Sequence, residues 1–229
     1  MTEPPRPPQS PASPASPASP DLSHPAPTRL ALGLAATLRH DGHGGVADDL
    51  DGPDGLTAWV REHAALLPDG LAARRFRADG LALDRVRSVR AAVRALFAQA
   101  VRPGEPSRAD AQGLPPLTEA VARLNEAAAL VPFVPALTWP RGAGPVVRDE
   151  PVRRARDAPA AWRADLLDAA LARAALAFLA GPDRQRLRAC HAPRCVRYFL
   201  KEHPRQEWCK PSCGNRARVA RHHERGRGA

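Results

Sequence analysis

The 229-residue sequence contains no isoleucine and only four cysteines, and aromatic residues make up 4% of it. It has no apolar run of 18 residues, the length that identifies a membrane-spanning helix. Its first ten residues, MTEPPRPPQS, include no apolar stretch of the kind that secretory signals carry. These absences predict a protein without a membrane span that resides in the cytoplasm, where cysteines stay reduced.

Lysine is scarce as well, and the basic residues are unevenly placed. Arginine supplies 32 of the 34 basic residues, a usage that favours a GC-rich, bacterial genome. Residues 183–229 contain 13 Lys/Arg against 4 Asp/Glu, a net charge of +9, whereas residues 1–182 contain 21 against 20, a net charge of +1. The C-terminal end is therefore expected to meet a polyanion, although a basic tail kept for solubility is the simpler alternative.

The four cysteines form two close pairs with the spacing C-x4-C-x13-C-x3-C: Cys190, Cys195, Cys209 and Cys213. Two such pairs joined by a short span are typical of a tetrahedral zinc site. Four thiolates close the coordination shell, so the expected cofactor is a structural Zn²⁺ rather than a catalytic one. Two disulfides would require an oxidising compartment, which nothing in the sequence indicates.

Residues 1–27 hold ten of the 26 prolines and include the repeat SPASPASPASP. Proline, alanine and serine bury too little apolar surface to offset the entropy of ordering a chain. This segment is predicted to be a disordered lead.

Residues 28–182 show mainly helical periodicity and are predicted to form one helical domain. The segment 29–39 is apolar without a clear period, so it fits either a strand or a first helix. Helices are expected after Asp54, over 83–97, after Pro116 and from 157 to 180, the last apolar around most of its circumference. Within 83–97, the arginines are expected to point outward: Arg85, Arg87, Arg90 and Arg94. Segments 136–139 and 145–148 predict a small hairpin.

No catalytic constellation accompanies this helical pattern, since the sequence contains neither Gly-x-Ser-x-Gly nor HExxH. The protein is therefore expected not to be an enzyme. The alternative that the helical domain contains a pocket for a small effector stays undecided at this point. His40, Asp41 and His43 suit either a metal or, more simply, a solvated turn. Trp59, Trp139 and Trp162 are expected in the core.

The segment between and after the cysteine pairs predicts a small treble-clef-like finger. Residues 196–200 and 206–208 are expected as two short strands, with Phe199 and Trp208 as the finger's own small core. A helix is expected from Gly214 onward, with Ser212 as its N-cap.

On that helix three arginines and a histidine share one face, at spacings i, i+3, i+4 and i+7: Arg218, Arg221, His222 and Arg225. Such a row suits contacts with DNA phosphates. Arg216, in the turn before them, is expected either to tie that turn or to reach a phosphate. Val219 is expected to face the finger core.

The motif Cys213-Gly214-Asn215-Arg216, with Trp208-Cys209 before it and a basic helix after it, resembles the CGNR zinc finger. Upstream, LALGLAATLRHDG and LTAWV resemble the opening of ABATE domains, a family of stress-induced transcription regulators. The resemblance implies zinc at the four cysteines and DNA binding by the finger. It divides the chain into the lead 1–27, an ABATE-like domain 28–182 and a CGNR-type finger 183–229.

These observations predict a zinc-dependent, DNA-binding transcriptional regulator whose helical domain senses a small molecule or a protein partner. The alternative is an interaction adaptor, or an RNA binder, whose basic finger docks an acidic partner. A salt titration distinguishes nucleic-acid binding from docking on an acidic protein, because phosphate contacts release counterions.

Overall fold

The computed structural model describes residues 24–110, 113–152 and 159–227, and most of them are helical. Residues 1–23 of the predicted lead lie outside the described part. The first helix begins at Ala26, two residues before the predicted start of the helical domain at residue 28.

The described residues form six α-helices: α1 Ala26–Ala35, α2 Pro53–Glu62, α3 Gly80–Ala100, α4 Leu117–Ala129, α5 Ala160–Ala180 and α6 Pro211–Arg227. Short 3-10 turns lie between them, including Arg108–Asp110 and Pro182–Arg186. The ambiguous segment 29–39 is mostly helix, because Thr28, Leu30, Ala31 and Leu34 recur with helical spacing on its buried side. The predicted mainly helical fold is confirmed.

Three antiparallel hairpins complete the described structure: β1 Leu38–His40 with β2 Val46–Asp48, β3 Phe133–Thr138 with β4 Val146–Pro151, and β5 Leu187–Ala189 with β6 Tyr198–Leu200. The hairpin expected at 136–148 is present as β3–β4 and is longer than predicted. In the finger, the strand expected over 196–200 is present as β6, but its partner is not the expected one. β6 pairs with β5 ahead of the first cysteine, whereas residues 206–208 form no strand.

Helix α5 is the centre of the bundle, and α1, α3 and α4 pack against it. Its leucines and small residues are buried around much of its circumference, among them Leu166, Leu167, Leu171 and Ala172. This matches the prediction that the most uniformly apolar helix would be central.

The core of the bundle continues into the C-terminal segment. Leu187 and Ala189 of β5, and Tyr198 and Leu200 of β6, belong to the same buried cluster as the helices. Cys190, Ala192, Cys195, Phe199 and Cys213 form a second, smaller cluster, against which Trp208 packs. The finger therefore has the predicted small core and also shares the larger one.

Two predictions about exposure were wrong. Arg90 and Arg94 do not point outward, since they are 7% and 1% exposed. They follow Val86 by four and eight residues, which places them on the buried face of α3. Trp139 is 71% exposed rather than in the core.

Among the residues that the structure describes, no helix is long and apolar enough to cross a membrane.

Candidate metal centre and nucleic-acid interface

The four cysteines come from two turns at the ends of short elements. Cys190 follows β5 and Cys195 lies just before β6, while Cys209 precedes α6 and Cys213 lies in its first turn. In the first turn, the Cys195 amide donates to the carbonyl of Ala192 at 2.9 Å, and in the second the Cys213 amide donates to Lys210 at 3.0 Å. Each pair thus wraps one backbone turn around a common point.

All four sulfur atoms lie within 4.8 Å of one another. Cys209 Sγ is 3.7 Å from Cys195 Sγ and 3.5 Å from Cys213 Sγ. Zinc–sulfur bonds of about 2.3 Å in a tetrahedron place sulfur atoms about 3.8 Å apart. The sulfur geometry therefore fits a zinc ion, and we assign zinc to this site.

Hydrogen bonds within the cluster favour the thiolate form of one cysteine, against the opposing effect of burial. Cys190, Cys195 and Cys213 are buried, and Cys209 is partly exposed. Hydrogen bonds from the thiols of Cys190 and Cys209 lower the pKa of Cys195 to about 3. Cys209 donates in this cluster, and its own pKa is raised. A cluster that already stabilises one thiolate is suited to binding a cation.

Gly214 lets α6 pack closely on the second turn. A Cβ atom at this position would lie 3.1 Å from Cδ1 of Trp208. The glycine and the tryptophan of the motif therefore fit one another, and a side chain at position 214 would push the indole away from the finger core.

Arg216 lies against the metal centre. Its Nε donates to the carbonyl of Pro193 at 3.2 Å, and its Nη2 donates to Sγ of Cys213 at 3.1 Å. Pro193 belongs to the first cysteine turn and Cys213 to the second, so Arg216 joins the two. This is the tying role that the sequence left open; the neighbouring Asn215 accepts a hydrogen bond from Arg218.

The predicted cationic row lies on the exposed surface of α6: Arg218, Arg221, His222 and Arg225. Arg221 Nε donates to the carbonyl of Ala217 at 3.4 Å, and Arg225 Nε donates to that of Arg221 at 3.3 Å. Val219 is 56% exposed, whereas Ala217 is 5% exposed and faces the finger core. The assignment of Val219 to the core was therefore wrong, and so was Ser212 as N-cap, since α6 begins at Pro211.

A buried polar network connects the finger to the helical domain. Arg94 Nε donates to Asp110 Oδ1 at 2.7 Å, and the Tyr198 hydroxyl donates to Asp110 Oδ2 at 2.6 Å. The hydroxyl of Ser107 donates to the carbonyl of Val196 at 2.8 Å. Val196 directly follows the zinc ligand Cys195, so the network holds the first cysteine turn against α3.

Each charge in this network has a partner. Arg94 also donates to the carbonyl of Ala35 at 2.6 Å, and its guanidinium lies 5.2 Å from the centre of the Tyr198 ring. Burial, followed by the charge of Asp110, raises the pKa of Tyr198 and keeps its hydroxyl protonated as a donor. Sequence reasoning missed this network, although the helical spacing of Arg94 with Val86 could have indicated it.

The turn between β1 and β2 lies beside the finger. Arg194 Nη1 donates to the carbonyl of Gly42 at 3.1 Å. Asp41 Oδ1 accepts from the backbone amides of His43, Gly44 and Gly45, so its carboxylate closes the turn. In the part of the chain that the structure describes, the only metal-compatible cluster is that of the four cysteines, and the turn reading of His40, Asp41 and His43 is the better one.

An open groove of about 350 Å³ lies between α3 and the segment that leads into α4. It is lined by small and polar residues that include Ser88, Ala91, Glu119 and Arg123. Its open shape offers limited burial to a small molecule.

The fold and the four-sulfur site define a helical domain joined to a C-terminal, four-cysteine zinc finger. Residues 28–182 match the family model of ABATE, described as "Putative stress-induced transcription regulator", and residues 186–226 match that of the CGNR zinc finger. The chain belongs to the ABATE family and ends in a CGNR zinc finger, which confirms the resemblance seen in the sequence. No curated protein matches it.

Proposed function

We propose that this protein is a DNA-binding transcriptional regulator whose zinc finger contacts DNA through α6. The family description supports a role in transcription, and the charge of the finger supports a nucleic-acid partner. The helical domain would then adjust binding in response to a small molecule or a protein partner.

The observation that carries this proposal is the uncompensated charge of the α6 row. In the helical domain, arginines such as Arg85, Arg90 and Arg94 are paired with carboxylates. On α6, the hydrogen bonds found for Arg218, Arg221 and Arg225 reach neutral oxygens only. A row of exposed arginines that forms no ion pair with a carboxylate is available for phosphates.

Under this proposal Arg216 takes the first of the two roles expected of it, that of tying the turn, rather than that of reaching a phosphate. Because both of its contacts lie within the metal centre, it positions α6 on the first cysteine turn. Its substitution should therefore affect the finger's stability, whereas substitutions in the row should affect binding alone.

The test is fluorescence anisotropy of the zinc-loaded full chain on random duplex DNA over a range of salt concentrations. The slope of log affinity against log salt is negative for phosphate contacts. We expect the triple variant R218A/R221A/R225A to reduce its magnitude by about 3, because each lost contact removes about 0.9. The matched control R74A/R75A removes two exposed arginines of the helical domain and should leave the slope nearly unchanged.

The result that would overturn the proposal is a wild-type slope near zero, or one that the triple variant leaves unchanged. Tight binding to single-stranded RNA with a flat response to duplex DNA would favour the RNA reading. Salt-sensitive binding to an acidic protein without binding to DNA would favour the adaptor.

A further inference from the structure

Exposed apolar side chains are concentrated on one part of the helical domain. Of the twelve large hydrophobic residues found exposed among the described residues, nine lie between positions 117 and 152. The hairpin β3–β4 carries the most exposed of these, with Leu137 at 64%, Trp139 at 71% and Val147 at 63%. Such a concentration marks an interaction surface.

Strand β4 has an open edge. Among the residues that the structure describes, it pairs only with β3 in a two-stranded sheet, and its residues 146–150 are all exposed. An exposed strand rich in valine is a template for another strand. On β3, Pro135 lies inside the strand and lacks a backbone N–H, which interrupts that strand's outer edge. On β4, the proline Pro151 is the last residue of the strand, so β4 is the better pairing edge.

The hydrogen bonding of the hairpin identifies which backbone groups face outward on β4. The Val152 amide donates to the carbonyl of Pro132 at 3.0 Å, one step beyond the pair Phe133 and Pro151. Bonded and non-bonded pairs alternate in an antiparallel ladder. Val147 and Asp149 therefore lie at non-bonded pairs within the hairpin, and their N–H and C=O groups point to the open edge.

In and next to β4, residues at equal distances before and after Asp149 are either both apolar or of opposite charge. The positions one step away are Arg148 and Glu150, of opposite charge, and the positions two and three steps away are apolar on both sides: Val146, Val147, Pro151 and Val152. A two-fold axis makes residue i meet residue j and residue j meet residue i. A strand with this symmetry is therefore complementary to a second copy of itself.

We propose that β4 pairs antiparallel with β4 of a second copy of this chain, with the two-fold axis at Asp149, to give a four-stranded sheet. In this register Arg148 lies opposite Glu150 of the second copy, and the same pair forms again across the axis. Val147 lies opposite Pro151, and Val146 lies opposite Val152. Moving the two-fold axis by one residue, from Asp149 to Arg148, would place Arg148 opposite Arg148, and like charges directly opposite are destabilising.

The central Asp149 is already neutralised within its own chain. Its Oδ2 accepts from Arg173 Nη2 at 2.5 Å, and the same guanidinium lies 4.6 Å from the centre of the Phe133 ring. The two Asp149 residues that meet at the axis therefore each bring a counter-ion from α5. Segment 130–152 has two basic and two acidic residues, so two copies approach without net repulsion.

Pairing in this register also aligns the apolar side chains across four strands. Because side chains of opposed residues share a face, one row runs from Leu137 through Val147 to Pro151 and Phe133 of the second copy. The other face carries a row from Thr138 through Val146 to Val152. These rows cover the valines that are exposed in the single chain.

Sedimentation equilibrium of the zinc-loaded full chain, with charge-reversed variants, tests this register. We expect a dimer in the wild type and a dimer Kd at least tenfold higher for R148E or for E150R, because each reversal opposes like charges twice per dimer. The double variant R148E/E150R restores opposite charges at both pairs and should return the Kd to within about threefold of the wild type. The controls R74E and E126R reverse exposed charges outside the hairpin and should leave it unchanged.

A wild type that stays monomeric at about 100 μM would overturn the proposal, and would leave the edge to a strand of another protein. So would a dimer that neither single reversal weakens, or one that the double variant fails to restore. All four positions are exposed, so circular dichroism should show the same fold in every variant.

Discussion

The finger and the hairpin β3–β4 both extend from the same helical bundle, but they are attached to it in opposite ways. The finger contributes four residues to the bundle's core and is held by a fully buried network around Arg94. The hairpin is held at its base by Arg173, through an ion pair whose side chains are 37% and 54% exposed. One is built into the domain, and the other leaves its edge and its apolar side chains to solvent.

The two regions also differ in surface chemistry: the finger carries the positive charge, and the hairpin carries the exposed apolar side chains. The finger carries a net charge of +9 within 183–229, whereas residues 130–152 of the hairpin segment carry none. The basic end is thus suited to a polyanion and the neutral hairpin to a protein surface. The two protrusions fit different partners, and substitutions in one should leave the function of the other intact.

The largest expected effect follows from removing one zinc ligand, as in Cys213→Ser. Structural zinc contributes about 10–16 kcal/mol to the folding of small finger peptides. Because β5 and β6 are part of the bundle's core, we expect loss of bound zinc together with a lower Tm for the helical domain. Zinc content by mass spectrometry and thermal unfolding by circular dichroism measure both effects.

The neighbouring substitution Ser212→Ala is the control for this experiment, since Ser212 is exposed and offers no zinc ligand. It should retain one zinc per chain and the wild-type Tm. If Cys213→Ser loses its zinc while the helical domain unfolds at an unchanged temperature, the finger is an independent unit and the contrast with the hairpin fails.

The second effect compares the two arginines that fix the protrusions to the bundle. Arg94→Met leaves the buried Asp110 without its counter-ion, and breaking a buried pair in this way costs about 3–5 kcal/mol. Arg173→Met removes an exposed pair and should cost about 1 kcal/mol or less. Urea denaturation gives both free energies of unfolding, and equal losses would show that the two protrusions are attached equally firmly.

The finger was the most predictable part of the molecule because its signal is local. Zinc ligation fixes both the residue type and the spacing, so four cysteines in two pairs specify the site without knowledge of the rest of the chain. The helices were equally accessible, since Leu166, Leu167 and Leu171 follow helical spacing. The role of Arg216 was harder to predict from the sequence, because it depends on the fold bringing Pro193 opposite Cys213.

What the sequence could not provide depends on contacts between distant segments. Arg94 meets Asp110, and both meet a tyrosine 88 residues further along, in the finger. An arginine on an apolar face is read as exposed unless its counter-ion is known. Trp139 was placed in the core by its residue type, yet the hairpin carries it away from the bundle. The strand pairing of the finger was missed for the same reason, since β5 lies before the first cysteine.

The smallest effect concerns the contact between α3 and α5. These two helices hold the finger and the hairpin through Arg94 and Arg173, respectively. Arg85 of α3 binds two aspartates of α5, with Nε 2.6 Å from Asp168 Oδ2 and Nη2 2.6 Å from Asp165 Oδ1. Burial raises the pKa of Asp168 to about 6, although Arg85 opposes this shift. Because the folded state then holds a proton more tightly than the unfolded chain, Asp168 stabilises the fold increasingly as pH falls through 6.

We therefore expect the free energy of unfolding of the wild type, minus that of Asp168→Asn, to rise by about 1 kcal/mol between pH 7 and pH 5. Subtracting the variant removes the titration of the other carboxyl groups, such as Asp48, whose lowered pKa acts in the opposite direction. Urea denaturation at several pH values measures this difference. A difference that stays constant or falls would show that Asp168 is ionised throughout, and that the α3–α5 contact is an ordinary ion pair.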